Sequence, residues 1–123
     1  MTTIKQKLIY LASPYSSPKQ EIMDYREDLV TSIAAALTEK YGYSMFLPIT
    51  QSAPMTRANP NLDGKFDTWK EIDLFMIKEK SDEVWVVLMD GWRESVGVQA
   101  EIKCAEDNNI PLKFFCPFEM RFL

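Results

Sequence analysis

Two carboxylates, Glu101 and Asp73, fall beside the apolar stripes of predicted helices. Glu101 lies three residues after Val98 and four before Ala105, on the side that this helix turns towards the sheet. Asp73 follows Trp69 by four residues on another helix. Two carboxylates near one strand end suit glycosidic chemistry, in which one attacks or stabilises the anomeric centre and the other handles the leaving group's proton. The alternative is a solvated side chain at the edge of the stripe, or a capping role for Asp73.

Ser95 and Gly97 stand at the start of the helix that carries Glu101. Unpaired amide groups and the positive end of the helix dipole make such a start an anion site, and a glycine lets a phosphate approach the backbone. Ser95 can also be a simple N-cap, and capping is compatible with phosphate contact. Gly97 belongs to no Walker or GxGxxG pattern, which disfavours sites for nucleoside triphosphates and dinucleotides.

Other candidate residues lie in or near the loops that follow predicted strands. Tyr10 ends the first strand, where packing in the core is the alternative to a place at the site. Trp92 follows the third strand, and its indole could stack on a base. The remaining candidates for substrate binding are Ser13, Tyr15, Ser16, Trp69, Asp90 and Gly91.

The composition limits the available chemistry. The chain has 123 residues, of which 46% are hydrophobic and 26% charged, as expected for one globular domain over 1–123. It contains no histidine, which excludes Ser-His-Asp triads, Cys–His pairs and histidine zinc sites. The net charge of -4 disfavours a nucleic acid polymer as partner, because binding its phosphates needs a clustered basic surface. We therefore expect catalysis without a metal or cofactor, by carboxylates, hydroxyls, tyrosines or backbone amides.

Membrane and export signals are not found in the sequence. No apolar run approaches the roughly 20 residues of a membrane span, and no signal peptide opens the chain. Cys104 and Cys116 are far apart and form no CxxC pair. These features predict a cytoplasmic protein that does not bind a membrane.

Strand and helix signals alternate along the chain. The predicted strands are 7–13, 43–48, 83–89 and 112–116. The first predicted helix has Ser17 as its N-cap, Pro18 at N1 and Gly42 as its C-cap. Asp67 is the candidate cap of a second helix, 68–80, and a third helix covers about 95–108. Residues 49–64, with their prolines and asparagines, are predicted to be a long functional loop.

This alternation predicts an α/β fold: a small doubly wound domain, flavodoxin- or Rossmann-like, with a parallel sheet of four to five strands flanked by helices. In such sheets ligands bind at the carboxyl ends of the strands, where the strand order switches. Loops leave strand ends after Ala12, Leu47 and Met89, and the candidate residues lie in or just beyond them. Their convergence predicts one site.

Taken together, these residues resemble the nucleoside 2-deoxyribosyltransferase superfamily, including its deoxyribonucleoside 5'-monophosphate N-glycosidase branch. The resemblance covers roughly residues 8–115. The matching pieces are the run from Tyr10 to Ser16, the pattern Trp69-x-x-x-Asp73, the strand 83–89 and the pattern Ser95-x-Gly97-x-x-x-Glu101. The motifs LASPYS and GWxxSxGxxxE resemble a group of small bacterial and phage proteins in that superfamily more closely still.

The resemblance implies cleavage, by hydrolysis or transfer, of the N-glycosidic bond of a 2'-deoxyribonucleoside or its 5'-monophosphate. Glu101 matches the nucleophile that attacks the anomeric carbon, and Asp73 matches the acid that assists departure of the base. Tyr10 matches the tyrosine that supports the nucleophile. The phosphate-binding turn of the monophosphate hydrolases matches Ser95 and Gly97.

One departure from the superfamily concerns substrate choice. The monophosphate hydrolases carry an arginine in the first loop, aligned near Ser16, that helps to hold the 5'-phosphate. Arg26, in the following helix, is a candidate substitute. The choice between nucleotide and nucleoside stays open, as does a second interpretation: a nucleotide-binding protein that sequesters or senses its ligand without turnover.

Two further expectations concern charge and assembly. Glu101 lies in the second turn of its helix, where the dipole should favour the ionised carboxylate.

The apolar tail 117–123 should pack on its own domain or on a neighbour. Because the resemblance implies homo-oligomers, we expect at least a homodimer, with the second helix and the C-terminal region near the interface.

Overall fold

A five-stranded sheet forms the centre of the computed structural model, which describes residues 3–123. The strands are β1 (Lys5–Ala12), β2 (Tyr43–Phe46), β3 (Glu83–Val87), β4 (Leu112–Cys116) and β5 (Arg121–Phe122). They lie in the order β2-β1-β3-β4-β5. The first four pair in parallel and β5 is antiparallel to β4.

Four α-helices accompany the sheet in the part of the chain that is described. They are α1 (Gln20–Tyr41), α2 (Pro48–Ala58), α3 (Phe66–Phe75) and α4 (Val96–Asp107). The end of α3 continues directly into a π-helical turn, Met76–Lys80. No helix within residues 3–123 is both long enough and apolar enough to cross a bilayer.

The sheet has a hydrophobic core on each face, because successive side chains of a strand point to opposite sides. Ile9 and Leu11 of β1 belong to the core that α1 and α2 cover. Tyr10 and Ala12 belong to the other core, which is completed by the π-helical turn and α4. Helices thus cover both faces of a mostly parallel sheet, an α/β architecture compatible with a doubly wound domain.

Most predicted elements are present with small changes at their ends. The strand 112–116 coincides with β4, and the other three predicted strands match β1, β2 and β3 within two residues. The predicted helix 95–108 matches α4 within one residue. The predicted helix 68–80 corresponds to α3 and its π-helical turn, which together begin two residues earlier. Apolar runs and helical spacing therefore located these elements correctly.

The long loop predicted over 49–64 is wrong, because its residues 49–58 belong to helix α2. Pro48 stands in the first turn, where its missing N–H costs no hydrogen bond, and Pro54 is tolerated within the helix. Ile49 and Ala53 lie four residues apart and both are buried. This helical spacing was the signal that the prolines obscured.

Two predicted helix caps are also wrong. The hydroxyl of Ser17 accepts a hydrogen bond from the Lys19 backbone N–H, so it stabilises a local turn, and α1 begins only at Gln20. Asp67 lies inside the first turn of α3. The carboxylate of Asp63 instead accepts hydrogen bonds from the Lys65 backbone and the Thr68 hydroxyl just before and within that turn.

The C-terminal tail packs partly on its own domain. It forms the short strand β5, which sequence analysis did not predict. The ring of Phe122 lies 4.9 Å from that of Trp85 and 5.3 Å from that of Phe115, centroid to centroid. Phe118 and Leu123 remain largely exposed. Intramolecular packing thus accounts for one of the large apolar residues of the tail and leaves others on the surface.

Candidate active site

A cavity of about 470 Å³ opens where the loops after β1 and β3 meet α3 and the start of α4. This volume lies within the range of small-molecule sites. The predicted site residues that line the cavity are Ser13, Tyr15, Ser16, Trp69, Asp73, Gly91, Ser95, Gly97 and Glu101. The strand ends therefore bring together residues as far apart in the sequence as Ser13 and Glu101.

Glu101 is buried in the cavity wall and only 4% exposed. The Tyr10 hydroxyl donates a hydrogen bond to its Oε2 atom. The alternative of a solvated carboxylate at the edge of the helical stripe is therefore wrong. The side chain faces the sheet because Val98 and Ala105, on the same side of α4, are fully buried there.

Burial raises the pKa of Glu101 to about 8, from an ordinary value of 4.5. The hydrogen bond from Tyr10 lowers the pKa and the nearby Asp73 carboxylate raises it, but the loss of hydration dominates. Burial therefore opposes the effect expected of the helix dipole, which favours the ionised carboxylate. The stabilisation that a helix end gives to a charge is small beside the usual cost of burying one.

Asp73 lies near the end of α3 and is 7% exposed. Burial raises its pKa to about 7, from an ordinary value of 3.8. A solvated or capping role is therefore wrong. The cavity has two carboxyl groups that can hold protons near neutral pH, and perturbed carboxyl groups of this kind are typical of active sites.

Tyr10 is fully buried in β1 and does not line the cavity, so it acts through Glu101. Its ring centroid lies 5.6 Å from that of Phe46. Burial, followed by the negative charge of Glu101, raises the pKa of the phenol well above its ordinary value. The hydroxyl therefore keeps its proton and remains a hydrogen-bond donor. Tyr10 therefore both packs in the core and donates a hydrogen bond to the Glu101 carboxylate.

The start of α4 has the expected cap. The Ser95 hydroxyl accepts a hydrogen bond of 3.1 Å from the Val98 backbone N–H, and Ser95 also lines the cavity. A Cβ atom at Gly97 would lie 3.2 Å from Cδ1 of Phe66. The glycine thus brings the helix start close to the Phe66 ring, which forms another part of the cavity wall.

Arg26 reaches the cavity from α1. Its Nη1 atom donates to the backbone oxygens of Tyr15 and Ser16, at 3.1 and 3.0 Å, and its Nη2 atom donates to that of Asp90 at 3.3 Å. The guanidinium thus stands beside the first loop, the region where the superfamily pattern places an arginine.

Two predicted binding residues are not brought to the cavity by their side chains. The indole of Trp92 packs in the core beside Phe114, at 6.1 Å between ring centroids, and does not line the cavity. Its predicted role in stacking on a base is therefore wrong, because the indole turns towards apolar neighbours. Asp90 is exposed and likewise absent from the cavity wall, and it contributes only its backbone oxygen to Arg26.

Sequence analysis missed several lining residues. Ile49 and Ser52 come from the unpredicted helix α2, while Lys65 and Phe66 come from the start of α3. Ile49 and Ser52 fell within the segment 49–64 that was predicted to be a functional loop, whereas the sequence signal for Lys65 and Phe66 was their closeness to a predicted helix start. The hydroxyl of Ser13 is buried in the wall without a hydrogen-bond partner, which leaves a polar atom available to a ligand.

Within residues 3–123, no three His, Cys, Asp or Glu side chains are grouped to hold a metal.

The chain matches one protein-family model, described as a domain of unknown function (DUF1937), over residues 7–116. Every residue that lines the cavity lies within this range. A comparison with curated proteins gives no match. The match spans most of the chain, and the protein therefore belongs to the DUF1937 family.

Proposed function

We propose that the protein cleaves the N-glycosidic bond of a 2'-deoxyribonucleoside or its 5'-monophosphate, with Glu101 as the nucleophile. The observation that carries this proposal is the pair of buried carboxyl groups, Glu101 and Asp73, in one cavity. Glycosidic cleavage needs one carboxylate and one carboxylic acid at the reacting carbon. The superfamily resemblance of the motifs around Ser13, Asp73 and Glu101 agrees with this assignment.

The proton balance of the pair fits the reaction. With pKa values of about 8 for Glu101 and about 7 for Asp73, the pair holds about one proton between these pH values. In the competent form Asp73 carries this proton and Glu101 is ionised. The hydrogen bond from Tyr10 favours that form, because it stabilises the charged carboxylate.

The first step breaks the bond between C1' and the base. The Glu101 carboxylate attacks C1', the electron pair of the breaking bond goes to the base nitrogen, and Asp73 gives its proton to the departing base. The product is an ester between Glu101 and the sugar. Water, or a second base in a transferase, then attacks C1' and frees Glu101, and the incoming group returns a proton to Asp73.

Two features of the cavity wall, the start of α4 and two cations, favour a 5'-monophosphate over an uncharged nucleoside, although the exposed carboxylates of Asp67 and Glu94 line the same cavity. The start of α4, with Ser95 and Gly97, presents backbone amides and the positive end of a helix dipole. The Arg26 guanidinium also lines the cavity, and Lys65 is a further cation in the wall. For this substrate we expect the protein to act in cytoplasmic deoxyribonucleotide metabolism.

A direct assay tests the proposal. The protein is incubated with each 2'-deoxynucleoside and each 5'-monophosphate, with and without a second free base, and released base is followed by chromatography. Release without an acceptor indicates a hydrolase, and release only with an acceptor indicates a transferase. Failure to release base from any of these compounds would contradict the proposed activity.

Replacing Asp73 with asparagine should lower kcat for ordinary deoxynucleotides by about 10²–10⁴-fold, the usual contribution of a general acid. A substrate with an N7-methylated purine should be much less affected. Its base is cationic before cleavage and leaves neutral, so it needs no proton from Asp73.

Rates of base release from both substrates measure this difference. Glu71→Gln is the matched control, since Glu71 is an exposed carboxylate on the same helix. Equal losses with the two substrates would rule out Asp73 as the acid.

The binding alternative is favoured by one observation, the raised pKa of Glu101. A glutamate that is mostly protonated at neutral pH is a weak nucleophile until substrate binding shifts the pair's proton to Asp73. Calorimetry with the same compounds separates the two functions. Stoichiometric binding, with the ligand recovered intact after long incubation, would assign the cavity to a nucleotide-binding protein.

We also propose that the protein forms at least a homodimer. The outer face of α3 exposes Ile72 and Phe75, and the tail exposes Phe118 and Leu123. Light scattering at micromolar concentration should give a mass of at least twice the 14.3 kDa of one chain. Phe75→Arg should lower that mass, whereas Tyr25→Arg, at an exposed aromatic on α1, should not. A monomeric mass that persists on concentration contradicts the proposal.

A further inference from the structure

The side chain of Arg26 connects two loops that leave different strands. Its Nη1 atom holds the backbone oxygens of Tyr15 and Ser16, beyond β1, and its Nη2 atom holds that of Asp90, beyond β3. All three acceptors are backbone carbonyls, and no carboxylate forms a salt bridge with Arg26 among the described residues. A planar guanidinium with several fixed donors suits such a three-way connection, which a lysine cannot reproduce in one plane.

Gly91 provides the space for this connection. A Cβ atom at Gly91 would clash with Nη2 of Arg26, and the residue has a φ of +97°, where side chains are strained. Any larger residue must therefore displace the guanidinium or the loop. The glycine of the GWxxSxGxxxE motif thus answers to two requirements, the positive φ of the loop and the closeness of the guanidinium from α1.

The connected loops carry the residues that surround the substrate in the proposed reaction. The first loop begins at Ser13, whose buried hydroxyl lines the cavity. In the second loop the Ser95 backbone N–H donates to the Gly91 oxygen at 3.0 Å, so the start of α4 is tied to the glycine. A displacement of Arg26 would thus move both walls of the cavity, while Glu101 and Asp73 stay on their helices.

We infer that Arg26 is a positioning residue that fixes the β1 loop against the β3–α4 loop, and that Gly91 is the position that admits its guanidinium. The kinetic part of the test rests on the proposed function, but the structural part does not. The inference assigns Arg26 to loop geometry through its three backbone acceptors, rather than to the chemistry of bond cleavage.

Hydrogen–deuterium exchange of the protein without substrate tests the structural part. In Arg26→Gln, amides of residues 13–17 and 90–95 should exchange at least about tenfold faster than in wild type, because the loops open locally. Gly91→Ala should open the same loops, because it displaces the guanidinium and also strains the backbone at a φ of +97°, so Arg26→Gln is the variant that isolates the connection. Arg57→Gln is the control, because Arg57 forms a surface ion pair with Glu27 of α1.

Base release and chemical rescue complete the test. For the proposed substrate, Arg26→Gln should raise KM about tenfold, because the fixed loop geometry and the positive charge of the guanidinium are both lost, and leave kcat within about threefold. Methylguanidinium added to Arg26→Ala should restore slow exchange and the lower KM, whereas Arg26→Lys should not restore either. Unchanged loop exchange in Arg26→Gln overturns the inference, whatever Gly91→Ala shows. Absence of base release by wild type overturns only the proposed function, because the exchange result stands without it.

Discussion

Replacing Glu101 with alanine should lower the rate of base release on the order of a thousandfold or more, the usual loss when a nucleophile is removed. The reason is that no other carboxylate in the described cavity wall has a buried tyrosine hydroxyl directed at it. The bond between Glu101 and C1' forms in the transition state and not in the bound substrate. Its loss should therefore lower kcat and kcat/KM equally. Initial rates of base release by chromatography measure the effect.

Two further variants make this result specific. Glu106→Ala, at an exposed carboxylate five residues later on α4, should release base at the wild-type rate. Glu101→Gln preserves the shape of a protonated glutamate, so it should be inactive and still bind substrate as wild type does. If Glu101→Ala releases base as fast as wild type, Glu101 is not the nucleophile.

The fold could be predicted from the sequence wherever one local pattern determined an element. The continuous apolar run of β3 is typical of a central parallel strand that is buried on both faces, and the strand is fully buried. The strand β5 has only two residues, too few for any pattern, and it exists because Phe122 reaches an aromatic cluster formed by distant residues. The type of an element can thus be predicted from the local sequence, whereas the pairing of a very short strand depends on the tertiary structure.

The candidate site could be predicted in part for the same reason. Glu101 and Asp73 were identifiable because each broke an apolar stripe, and their burial agrees with that signal. Whether the Arg26 side chain bonds to Asp90 depends on the distance between two loops, and the orientation of the Trp92 indole depends on the space beside Phe114. Neither is visible in the local sequence. The raised pKa of Glu101 depends on burial by every neighbouring element, so no helix position could predict it.

The same carboxyl group should make the stability of the protein depend on pH. Glu101 has a pKa of about 8 when folded and an ordinary value of 4.5 when unfolded. Between these values the folded protein binds more protons than the unfolded chain, so the free energy of unfolding falls as pH rises. One such group contributes a slope of about 1.4 kcal/mol per pH unit. Its stabilising contribution is complete below pH 4.5 and is lost as the pH approaches 8.

Glu101→Gln removes this titration while its side-chain oxygen can still accept the Tyr10 hydrogen bond. Urea unfolding at pH 5, 6 and 7 should therefore show a variant that is close to wild type at the lowest pH. It should become more stable than wild type by about 1.4 kcal/mol with each further pH unit. Glu106→Gln should follow the wild-type slope, since Glu106 is exposed. Asp73 titrates in both proteins, so some slope remains in the variant.

Parallel plots for wild type and Glu101→Gln would mean that Glu101 ionises in the folded protein as readily as in the unfolded chain. That result would contradict its raised pKa without bearing on Arg26. Diverging plots would mean that the fold near neutral pH retains a carboxyl group that destabilises it by more than a hydrogen bond contributes. A residue kept at such a cost is expected where it acts on a ligand, since stability alone favours glutamine at this position. The destabilisation measured without substrate would then be independent support for a functional Glu101.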